Sequence, residues 1–159
     1  MSSKPDDFEE QLEIGTAGED KILPWLERNN TFVQDMRYQR HGEKKGPRLK
    51  GLGGSLILPD FAVYNQFADK GNFAVDVKVK SAIYPIKGKM CFTVDDYKFD
   101  DYLRCVEIMK LDYLQLIFVY NDLFHVYKHD EVLPGKHYFG NAKGDYAYLF
   151  EYSNKKVRY

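Results

Sequence analysis

Cysteine is scarce: Cys91 and Cys105 are the only two among 159 residues, too few for a disulfide framework. A reduced, intracellular setting is the simpler reading, with both thiols serving as small hydrophobes in or near the core. No apolar run is long enough to span a bilayer, and Met1 to Glu13 is too polar and acidic for a signal peptide. A soluble cytoplasmic protein with no membrane partner is therefore expected. Net charge is nearly absent, at −1 with neutral histidines, so the whole molecule offers nucleic acid no general attraction. Any such surface must be a local patch. Repeats and low-complexity linkers are also missing, and the length suits one domain over residues 1–159.

Aromatic residues are plentiful, with 13 Tyr and 11 Phe, so much of the core should be built from rings. The spacing of Phe8, Leu12, Ile22, Trp25 and Leu26 predicts a helix from about Asp6 to Arg28. Acids crowd its first turns, and Asn29-Asn30 ends it. Gly15 and Gly18 should weaken its middle, and Pro24 should kink it or mark a break near Leu23. Strands are expected over Thr31–Gln39, Leu56–Tyr64 and Phe73–Lys80, the last two joined by a turn around Asp69-Lys70-Gly71-Asn72. Thr93 reads as the cap of a second helix running to about Lys110. The apolar run Leu114–Tyr120 suits a central strand covered on both sides, with further edge strands at Phe124–Tyr127 and Tyr146–Tyr152. The order helix, three strands, helix, strand, then extra strands fits an α/β sandwich.

Chemistry concentrates in the third strand. Side chains alternate faces along a strand, so Asp76, Lys78 and Lys80 share one face while Val75, Val77 and Val79 share the other. Burying such charges is costly unless they bind one another, a metal or a phosphate. Asp60, separated from Asp76 by fifteen residues and preceded by Pro59, lies in the neighbouring strand. Two carboxylates on adjacent strands can converge on a hard divalent cation such as Mg²⁺ (or Mn²⁺), which takes oxygen ligands. A lysine beside a metal-bound water can orient it and offset charge developing on a phosphoryl group. Glu19, on the first helix, is the candidate third carboxylate.

Pro59-Asp60 and Asp76-Val77-Lys78, with the upstream Gly18-Glu19, resemble the PD-(D/E)XK nuclease superfamily. The likeness covers about Ile14 to Val119. Asp76 to Ser81, Phe99-Asp100-Asp101-Tyr102 and Leu114 to Tyr120 look most like small phage-type members. The resemblance implies a restriction-endonuclease-like αβββαβ core, a mixed sheet flanked by helices with extra C-terminal strands. It implies metal-dependent hydrolysis of nucleic-acid phosphodiesters, DNA more than RNA, within a bacterial host if phage-encoded. Asp60 and Asp76 would be metal ligands, Val77 would add its backbone carbonyl, Lys78 would position water, and Glu19 would be an accessory ligand. A double-strand cutter of this size usually needs two active sites, which is compatible with a homodimer. The alternative is a catalytically silent nucleic-acid- or partner-binding module with the same fold, working inside a larger phage or recombination complex.

Arg40 to Gly54 holds Arg40, Lys44, Lys45, Arg48 and Lys50 against Glu43 alone, among five glycines. It reads as a flexible basic loop, a phosphate-gripping lid if it touches nucleic acid at all. Lys80 could meet a substrate phosphate or stay solvated. Tyr102 and the acids Asp95, Asp96, Asp100 and Asp101 read as a solvated helix face. His41, His125, His129 and His137 show no zinc-ligand spacing.

Overall fold

The computed structural model describes residues 4–37, 46–66, 69–140 and 145–158, with side chains except those of residues 4–9 and 11. A long helix α1 (Lys4–Asn29) leads into β1 (Phe32–Asp35) and a hairpin, β2 (Arg48–Gly51) and β3 (Gly54–Ile57). Then come β4 (Phe61–Tyr64), β5 (Phe73–Val79), β6 (Tyr84–Ile86) and β7 (Lys89–Asp95), followed by helix α2 (Asp96–Ile108). β8 (Tyr113–Tyr120), β9 (Leu123–Lys128), β10 (His137–Tyr138), β11 (Tyr146–Glu151) and β12 (Val157–Arg158) complete the chain.

Six strands form the main sheet in the order β1-β4-β5-β8-β9-β12. β5 and β8 run parallel, and their crossover contains β6, β7 and α2; every other pairing is antiparallel. Strands β10-β11-β7-β6 make a second sheet. Alternation along β4, β5 and β8 divides the interior in two. Phe61, Val63, Val75, Val77, Ile117 and Val119 point to one side and pack under Ile22 and Leu26 of α1. Ala62, Ala74, Leu114, Leu116 and Phe118 point to the other, where α2 and the second sheet contribute Phe99, Val106, Phe92, Val94 and Phe150. Both faces of β5 are thus covered, the usual condition of a parallel pair. Among the described residues no helix is long and apolar enough to cross a membrane.

The order of the core elements agrees with expectation, and several boundaries do not. α1 is one helix despite Pro24. Pro24 lies on the exposed side, where water can satisfy the Asp20 carbonyl that loses its donor. The basic segment is not a loop over its second half: Arg48 and Lys50 belong to β2, while Lys44 and Lys45, with His41, lie outside the described residues. Leu56–Tyr64 is two strands, because the chain bends at Leu58-Pro59-Asp60 between β3 and β4. The expected β4–β5 hairpin forms, with Gly71 in the turn at φ +72°. Thr93 is no cap; it is paired with Leu149 inside β7, and α2 starts after Asp95. Tyr146–Glu151 is not at the edge of the main sheet but central in the second one, which the sequence reading missed.

Candidate active site

Phe61 pairs with Val75, so carrying the register one step further sets Asp60 opposite Asp76 at the middle of β5. β4 has no residue left there to hydrogen-bond β5. Asp60 fills the gap with its side chain: the Val77 N–H donates to Asp60 Oδ2 at 2.8 Å. In a strand the N–H and C=O of one residue leave on the same side, so the Val77 carbonyl also points toward Asp60. The Asp60 carbonyl in turn accepts from the Met36 N–H at 2.9 Å, which ties the bend to the end of β1.

Asp76 is only 2% exposed, on the side of β5 covered by α2. Lys78, two residues on, lies on the same side. Its Nζ sits 2.9 Å from Asp76 Oδ2 and donates to Tyr102 Oη of α2, also at 2.9 Å. Although ion-paired, Asp76 Oδ2 has no donor in hydrogen-bonding geometry. Glu19 approaches from α1 because Gly18 leaves room: a Cβ at Gly18 would overlap the Val79 side chain. The Glu19 carboxyl hydrogen-bonds Asp60 and lies 3.9 Å from Arg37 Nη1. Arg37 is itself held by Asp35 through two 2.9 Å bonds and by Asp20 at 2.8 Å. A cleft of about 640 Å³, lined by Thr16, Glu19, Met36, Arg37, Pro47 and Asp60, opens onto this cluster. Asp76 and Lys78 stand behind its wall.

Burial, then repulsion from Asp76 and Glu19, holds the Asp60 carboxyl well above the usual carboxylate range. Burial also raises Glu19, with the Asp60 hydrogen bond and Arg37 working against it. Burial pulls the Lys78 ammonium down, but Asp76, Tyr102 and Asp60 outweigh it, and its pKa ends well above normal. Lys80 goes the other way, to about 8, through burial and the neighbouring Lys78 charge. Burial raises the Tyr102 phenol. Three neighbouring carboxyl groups, two of them raised in pKa and the third with a buried oxygen lacking a donor, suit a hard cation with oxygen ligands. Among the described residues no three or more His, Cys, Asp or Glu side chains are already arranged to hold a metal ion.

Asp60, Asp76, Lys78 and Glu19, singled out in the sequence, thus meet at one place. Val77 lies among them, and Lys80 is half-buried beside Lys78, not on a solvated face. Arg48 and Lys50 stand away on the hairpin. Tyr102 corrects the sequence reading: it is buried and holds Lys78, and Phe99, Tyr102 and Val106 at helical spacing were the signal. Asp101 and Asp100 are also tethers, accepting from the Ile57 N–H at 3.0 Å and the Tyr148 hydroxyl at 2.9 Å. Arg37 was passed over, since nothing local marks an arginine that gathers acids from α1 and β1.

No protein-family model and no curated protein sequence matches the chain. Among solved structures it is similar to Hjc, a Holliday junction resolvase from the archaeal hyperthermophile Archaeoglobus fulgidus. The TM-score is 0.55 at 9% sequence identity, over 86% of this chain and 83% of that one. At that identity the likeness shows the fold, a mixed α/β restriction-endonuclease-like sheet flanked by helices, as the motif order implied.

Proposed function

We propose that the chain is a divalent-metal-dependent nuclease of the PD-(D/E)XK type that hydrolyses DNA phosphodiester bonds. The observation that carries this reading is the convergence of Glu19, Asp60, Asp76 and Lys78 around the middle of β5, beside a cleft. The fold shared with a Holliday junction resolvase supports it. Asp60 and Asp76 would hold Mg²⁺ or Mn²⁺, with Glu19 and the Val77 carbonyl available beside them. When bound, such an ion polarises a phosphoryl oxygen and lowers the pKa of a water ligand. Lys78 keeps its proton at neutral pH, so it orients the attacking water and offsets negative charge rather than accepting a proton. Tyr102 fixes where that ammonium sits. Arg37 holds the Glu19 side of the cleft in place.

Purified protein incubated with linear and supercoiled DNA in Mg²⁺ should yield cleavage products. Asp76→Asn should lower the rate on the order of a thousandfold. Without DNA, Mg²⁺ should raise the melting temperature of the wild type but not of Asp76→Asn. Equal cleavage by both proteins, or none by either, sinks the catalytic assignment.

A silent binding module is the second reading, favoured by Lys78 already neutralising Asp76 and by the lack of a ready three-ligand group among the described residues. DNA binding that survives EDTA and Asp60→Ala, without products, would select it. The phage-type likeness, a homodimer and work inside a larger complex belong to the same proposal; sedimentation with and without DNA tests the last two.

A further inference from the structure

The β2–β3 hairpin takes no part in the carboxylate cluster, yet it grows directly out of it. Arg48 pairs with Ile57 and Gly51 with Gly54. Its root is pinned: the Leu58 N–H donates to the Pro47 carbonyl at 3.1 Å, and the Ile57 N–H to Asp101 Oδ2 of α2 at 3.0 Å. From Leu58 the chain passes through Pro59 into Asp60, so the hairpin is rigidly tied to the site.

Its tip is bare. Leu52 is 112% exposed, and among the described residues no atom beyond the chain neighbours lies within 4 Å of where a Cβ would stand on Gly51, Gly53 or Gly54. Gly54 sits at φ +110°, which only glycine adopts readily. Hairpin tips are ordinarily polar, with Asn, Asp or Gly at the turn. This one presents a leucine to water. The segment from Arg48 to Ile57 carries two bases, Arg48 and Lys50, and no acid, in a chain whose net charge is −1. An apolar point with Lys50 two residues before it and Arg48 half-buried at the root matches a nucleic acid whose stack is open. Phosphates meet the bases' charge, and an aliphatic side chain can wedge between base steps.

We propose that the β2–β3 hairpin is a wedge for interrupted duplex DNA, with Leu52 entering the base stack at a nick, gap or branch. Arg48 and Lys50 meet the flanking phosphates. Recognition by the wedge stands independently of catalysis; where the strand is cut rests on the nuclease reading. Eight residue steps separate Leu52 from Asp60. They span at most about 28 Å, or about eight nucleotides at about 3.4 Å each. Cleavage should therefore fall within about eight nucleotides of the interruption.

The test uses the full chain, Leu52→Ser, and matched DNAs: an unbroken duplex, a gapped duplex and a three-way branch, each with 2-aminopurine at the interruption site. In Ca²⁺, wild-type protein should bind the gapped and branched DNAs about tenfold more tightly than the unbroken duplex and brighten the 2-aminopurine. Leu52→Ser should melt at the wild-type temperature, lose that preference and leave the fluorophore quenched. In Mg²⁺, cuts should cluster within the stated distance of the interruption. Equal preference in both proteins overturns the wedge while leaving the nuclease reading intact. The fluorescence signal without any cleavage supports the wedge and overturns the nuclease reading. A change in sedimentation of the free protein on Leu52→Ser, with DNA preference unaltered, makes the tip a contact between copies and overturns the wedge.

Discussion

The two faces of the main sheet are built from the same strands and do different work. Under α1 the buried cluster of Ile22, Leu26, Phe61, Val63, Val75, Val77, Ile117 and Val119 is aliphatic and aromatic. Under α2 and the second sheet the interior is ring-rich, with Phe92 stacked on Phe118 at 4.5 Å. It also contains the buried polar residues Asp76 and His125 and the Lys78–Tyr102 bond. An aliphatic face stabilises by area removed from water and tolerates no charge. The other face accepts charge because phenols and an ammonium supply partners. Apart from Glu19, the charged groups of the site gather on the second face.

The largest effect should come from separating the charges on the second face. Lys78→Ala leaves Asp76 buried without its cation, at a cost of about 3 kcal/mol in urea unfolding, and should lower cleavage on the order of a thousandfold. Adding Asp76→Asn should restore much of the stability and none of the cleavage. If stability and rate fall and recover together, the two faces are not functionally distinct.

Ile117→Ala, on the aliphatic face, should cost about 3 kcal/mol. It should leave kcat per folded molecule unchanged, measured below the unfolding transition. Gly18→Ala probes the one point where the aliphatic face reaches the site. The new methyl meets Val79, so overpacking of about 2 kcal/mol is expected. Pushing Glu19 outward should lower cleavage as well, whereas the exposed Gly53→Ala should do neither. Unchanged rates in Gly18→Ala would remove Glu19 from the site.

The smallest effect is a pH dependence from His125, which burial lowers below the usual histidine range. Above about 6.5 the ring is neutral folded and unfolded, and it contributes no slope. Below that value the unfolded chain binds a proton that the folded one refuses, so stability falls as the pH drops, by at most about 1.4 kcal/mol per pH unit. Glu19 and Asp60 are shifted upward and act in the opposite sense, with stability falling as pH rises through their folded pKa values. Subtracting the melting profile of His125→Phe from that of wild type isolates the histidine, and equal profiles would refute its role.

Much of this arrangement was legible along the chain. The alternation Val75-Asp76-Val77-Lys78-Val79 assigns the acid and the lysine to one face whatever surrounds them. The continuous apolar run of β8 announced a strand covered on both sides. What was misread was always non-local. Tyr102 looked solvated because it sits among acids, whose partners Ile57 and Tyr148 lie far along the chain, as does its own partner Lys78. Arg48 and Lys50 looked like loop residues because glycines surround them. Their hairpin is decided by pairing across Gly51 and Gly54 and by anchorage to Asp101.

By itself, then, the sequence determined whatever depends on neighbours two to four residues apart: the order of the core elements, the polar side of β5 and the pairing of Asp76 with Lys78. These follow from strand and helix periods, which are properties of the local backbone. Only the tertiary structure decided that β4 begins no earlier than Phe61, so that Asp60 caps Val77 opposite Asp76. It also decided that α1 packs closely enough at Gly18 to bring Glu19 in, and that a second sheet buries what might have been a solvated face. Those contacts join residues far apart in the chain, and register and packing select them, not periodicity.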